Sequence, residues 1–128
     1  MRSTPILLWL YSMNAAVLIT HEIDSAYWHE WELFGIPGGI QVFLCLNLLL
    51  VAVILYGHQA LALGRASGIV LSWVLVAGGL FAVIIHTYFL LQGSDAFGLP
   101  VSLALLVTTF VLSLVQAAVL LNTRSAAR

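Results

Sequence analysis

Four apolar segments, each about as long as a bilayer is thick, constrain this chain more than any other feature. A hydrocarbon core of about 30 Å takes about 20 apolar residues as a helix. Such runs are read at about residues 5–24, 38–57, 69–91 and 100–121. Backbone groups in hydrocarbon must bond within their own segment, so each run is predicted to be helical rather than extended. Composition agrees: 62% of the 128 residues are hydrophobic and only 7% are charged, against about 25% charged in an ordinary soluble domain. A chain this poor in polar groups cannot cover a water-facing surface. The expected fold class is therefore all-α, a single transmembrane domain over residues 1–128.

The breaks between spans carry turn signals. Gly35-Ile36-Pro37-Gly38-Gly39 separates the first two, Gly64 and Gly68 punctuate the second connection, and Gly93 to Pro100 frames the third. Connections this short make neighbouring spans antiparallel, which predicts an up-down-up-down four-helix bundle. Gly78 and Gly79 in span three, and Ala15 and Ala16 in span one, are candidates for close helix approach. The first run lacks a small-residue cleavage site before the charged residues, so it is read as a retained helix rather than a signal peptide.

Charge orients the bundle. The four basic residues are Arg2, Arg65, Arg124 and Arg128, all at one end; the five acids are Glu22, Asp24, Glu30, Glu32 and Asp95, all at the other. Basic residues stay cytoplasmic. Both termini are thus expected in the cytoplasm and the acidic face outside, which in a bacterial inner membrane is the periplasmic face. A net charge of −1 offers no basic surface, so no nucleic-acid partner is expected. The lone Cys45 excludes an internal disulfide and a site built on several thiolates.

The polar residues concentrate where span one ends, in Thr20-His-Glu-Ile-Asp-Ser-Ala-Tyr-Trp-His-Glu-Trp31. At about 100° per residue, His21, Glu22, Asp24, Ser25, His29 and Glu32 share one broad face of a continuous helix, and Glu30 points away. At about 1.5 Å per residue, His21 and His29 are about 12 Å apart along the axis, so His29 joins His21 only if the helix bends. His86 is the second signal. It lies about 26 Å up span three, where His21 lies about 22 Å up span one, and the two spans run in the same direction. The two imidazoles are expected at one depth, facing each other across the core.

Ionisable groups inside a membrane are costly and usually face the protein interior for a purpose. His21, Glu22, Asp24 and His86 are therefore the candidate metal ligands, with Glu22 the candidate catalytic acid or base. Nitrogen and carboxylate donors suit zinc, iron, manganese or copper. Haem held by His21 and His86 ranks below a bare ion. Glu30 and Glu32 are assigned to an acidic rim. Neither His-Glu pair belongs to an H-E-x-x-H zinc-protease signature, because Ser25 and Leu33 stand where the second histidine would be.

The string Thr20, His21, Glu22, Asp24, His29, Glu30 and Trp31 resembles that of a family of short bacterial membrane proteins, in which a T-H-E-L-D-A-like end of the first helix is followed by H-E-W. That family is uncharacterised, so the resemblance implies topology and motif but no activity. Members often carry a basic residue after H-E-W; Glu32 stands there in this chain, which argues against an anion-binding rim. The leading expectation is a small polytopic membrane protein with a His/carboxylate metal- or ligand-binding site at the outer mouth of its bundle. The alternative is a non-catalytic accessory subunit of a larger membrane complex, or a homo-oligomer. The sequence leaves open whether the chain is an enzyme.

Overall fold

The computed structural model describes residues 5–125. Arg2 and Arg128, on which part of the orientation reading rests, lie outside the described residues. The chain is all-helical: α1 (Pro5–Tyr27), α2 (Glu30–Leu33), α3 (Gly39–Ala62), α4 (Ala66–Leu91) and α5 (Pro100–Ser125). All but α2 are long and apolar enough to cross a membrane. Pro5 and Pro100 each open a helix, where a missing N–H costs no hydrogen bond.

The helices outrun the apolar runs from which they were read. α3 continues to Ala62, through His58 and Gln59, and α4 already begins at Ala66. Polar residues at a helix end do not stop it; a backbone that turns does. At the α2 end, Gly35 (φ 66°) donates to Glu32 O at 3.2 Å while Ile36 N–H reaches back to Trp31 O at 2.8 Å. Gly93 (φ 85°) closes α4 in the same way on Leu90 and Phe89. This paired cap needs a left-handed residue, which glycine adopts without a steric penalty.

α1 and α4 form the centre of the bundle. They touch each other, both touch α3 and α5, and among the described residues α3 and α5 do not meet. α1 and α5 run antiparallel: Asn14 Nδ2 donates to Ser113 Oγ and to Gln116 Oε1 (3.1 Å each), whereas Trp28 Nε1 donates to Ser102 Oγ (3.4 Å). Thr109 Oγ1 donates to Asn14 Oδ1 (2.8 Å), and Gln116 Nε2 donates to Ser72 O on α4 (3.4 Å). Asn14, Ser113, Gln116 and Thr109 are completely buried. In a bilayer such groups find no water, so they bond across helices instead. On the other flank, Tyr11 donates to Ile54 O (2.9 Å), tying α1 to α3.

One member of each small-residue pair marks a close approach. A side chain at Gly79 would collide with Ser113 and Thr109 on α5, while one at Gly78 would meet nothing within 4 Å. Ala15 is buried and Ala16 is exposed.

Candidate metal centre

His21 belongs to the buried stripe of α1, with Tyr11, Asn14, Leu18 and Ser25. His86 belongs to that of α4, with Leu75, Gly79 and Ala82. Three- and four-residue spacings keep both imidazoles on the stripes that face the core. Because α1 and α4 are the central pair, the rings meet: their centroids are 4.7 Å apart and each residue is 1% exposed.

The third member comes from outside both helices. α1 stops at Tyr27, and His29 takes a left-handed conformation (φ 52°, ψ 50°). The chain then turns into α2, which packs Trp31 against Phe43 of α3 (centroids 5.3 Å apart). This turn brings Glu30 inward, with Oε1 3.7 Å from His86 Nε2. One donor atom from each of His21, Glu30 and His86 lies within 4.8 Å of the others, and all three residues are buried. The helix does bend, but the bend carries His29 outward. There it is exposed, 3.8 Å from Glu32 Oε1 and stacked on Trp31.

Glu22 and Asp24 lie outside this set among the described residues. Glu22 is half-buried and borders a groove beside α3; Asp24 is half-buried, with Oδ2 lacking a hydrogen-bond partner. Burial holds the Glu30 carboxyl above the ordinary glutamate range; the nearby Ser25 hydroxyl eases that rise and Asp24 adds to it. Three buried ring nitrogens here have no hydrogen-bond partner: His21 Nδ1 and both of those of His86.

Sequence reasoning missed two residues. An unbroken helix aims Glu30 away from the core, toward the rim; the aromatic spacing Trp31–Phe34, out of phase with the α1 stripe, is the one sign of a break. Phe97 carried no sign at all. From the α4–α5 connection it sits 1% exposed, with its ring 4.0 Å from His86 and 5.5 Å from His21, centroid to centroid. It holds a left-handed backbone (φ 63°), rare for a bulky residue.

Fold and site together define a small helical membrane protein with a buried His–carboxylate–His group at one end of its bundle. The chain belongs to the family of unknown function DUF6713, which it matches over residues 7–123. No curated protein and no solved structure matches it.

Proposed function

We propose that this protein binds one divalent transition-metal ion through His21, Glu30 and His86, at the outer mouth of an up-down-up-down bundle with both termini in the cytoplasm. The observation that carries this reading is the convergence of three buried donors within 4.8 Å, with His21 Nδ1 and both ring nitrogens of His86 lacking hydrogen-bond partners. An unsatisfied buried polar group costs about 1–3 kcal/mol, and a metal ion is the partner that two imidazoles and a carboxylate share. The gathering of the acids at the site end and of Arg65 at the other supports a periplasmic mouth in a bacterial inner membrane.

Two nitrogens and one oxygen leave a coordination position open, as in catalytic zinc and non-haem ferrous sites. An ion held so would supply Lewis acidity to a small or lipid-like molecule entering from the outer leaflet. Glu22, on the adjoining groove, is the residue proposed to take or give a proton. A bare ion is favoured over haem because the Phe97 ring packs on both imidazoles, where a macrocycle would have to lie.

Metal analysis of protein purified in detergent tests the reading. The wild type is expected to carry a stoichiometric ion, and His21→Ala, His86→Ala and Glu30→Gln to lose it. Equal metal content in all four proteins would overturn it.

A further inference from the structure

α3 does not pack along its whole length. Its buried residues are Phe43 near one end and Ile54, Gly57, Ala60 and Leu61 near the other, with none between. Trp31 against Phe43, and Tyr11 against Ile54, hold the two ends to the bundle. Between them lies a cavity of about 370 Å³ bordered by α1, α3 and α4, within the range of about 300–1,000 Å³ usual for ligand sites. Leu46, Leu50, Val74 and Phe81 border it and are also exposed, so it opens sideways toward lipid.

Its length and its polarity both point to an occupant. The lining extends from Tyr11 to Glu22 on α1 and from Phe43 to Ile54 on α3. Each stretch is about 16 Å of helix rise, half of a hydrocarbon core of about 30 Å. Counted from Pro5, Glu22 stands about 25 Å up α1 and Tyr11 about 9 Å, so the groove runs from near the outer interface to past mid-membrane, a length that suits a single hydrocarbon chain. Its walls are apolar except at the outer end, where His21, Glu22, Glu30 and Asn47 gather. Asn47 Nδ2 donates to Phe43 O (3.1 Å) and also approaches the Glu22 carboxyl, which leaves Oδ1 buried and without a donor. Two carboxyl groups and an unbonded amide oxygen make an end rich in acceptors. The complementary head group is neutral and donates O–H bonds.

We infer that the groove holds the hydrocarbon chain of one neutral single-chain lipid of the monoacylglycerol type, with its hydroxyls donated to Asn47 Oδ1 and Glu22. The inference rests on the metal reading only where His21 and Glu30 border the head group; seating of the chain is independent of any ion.

The test titrates monododecanoylglycerol into chelator-treated protein held in amphipol, followed by calorimetry and native mass spectrometry. Saturable binding of one molecule per chain is expected, tighter than that of dodecanoate, whose carboxylate offers no donor and faces two acidic residues. Gly78→Leu extends a side chain into the groove at a position where an added Cβ meets nothing. It is expected to weaken binding by about tenfold or more, the loss from excluding two methylenes. The thermal melt of Gly78→Leu serves as the folding control, and Val107→Leu, at an exposed position of α5 away from the groove, is expected to bind as the wild type does. Unchanged affinity in Gly78→Leu, or equal affinity for dodecanoate, would overturn the inference. A wild type that carries metal as purified but takes up no lipid after chelation also overturns it and leaves the metal reading standing. Lipid binding by a protein that never holds metal supports the groove and sinks the metal reading instead.

Discussion

Glu30 Oε1 and His86 Nε2 face each other at 3.7 Å, with side chains 10% and 1% exposed. The gap exceeds hydrogen-bond range. It is close to the separation of about 3.4 Å between two ligands that each stand about 2.1 Å from a tetrahedral ion. One donor atom of His21 lies within 4.8 Å of both.

The carboxylate should therefore matter as a ligand and not as rim charge. Glu30→Gln is expected to weaken zinc binding by at least about 100-fold, the upper range for residues that only support a ligand. Glu32→Gln, on an exposed side chain, should leave it unchanged. Competition titration against a chromophoric chelator reads both.

Protons should compete with the ion at Glu30. Its carboxyl is held above the ordinary glutamate range by burial. Metal binding needs the deprotonated form, so affinity should begin to fall, as pH is lowered, above the pH at which a solvent-exposed glutamate titrates. In metal-free protein the folded state binds the Glu30 proton more tightly than the unfolded state does. That contribution to stability is complete below the unfolded value and is lost as pH rises through the folded one. Zinc titrations and thermal melts across a pH series check the two trends, which have opposite signs.

Asn14 bonds Ser113, Gln116 and Thr109 at once. Asn14→Ala strands three buried groups and is expected to cost about 1–3 kcal/mol, since single interhelical bonds in membranes average about 0.6 kcal/mol and reach about 1.7. Unfolding in mixed micelles measures the loss. Metal content should not change, because none of the three donors is involved.

The neighbouring glycines of α4 should differ sharply. Gly79→Val drives a side chain into Ser113 and Thr109 and should destabilise by about 1–3 kcal/mol, the usual cost of overpacking. Gly78→Val enters open space and should be close to neutral. Melting temperatures of the two variants decide the point.

Much of this was legible in the residues themselves. Four apolar lengths, with glycine and proline between them, dictate four helices, because a backbone in hydrocarbon has no other way to bond. The stripe through Leu7, Tyr11, Asn14, Leu18 and His21 aims the first imidazole inward, and the stripe through Ser72, Leu75, Gly79, Ala82 and His86 aims the second. Counting rise along two helices was enough to bring them level. Tertiary structure decided the rest. Helical period predicts direction only while a helix lasts, and the left-handed turn at His29 resets the phase, turning His29 outward and Glu30 inward. No glycine or proline marks that turn. Phe97 reaches the imidazoles from a connection far along the chain, and the groove exists because α3 is held at its ends and not in its middle. Such features depend on which surfaces meet, and a local pattern of residues carries no record of that.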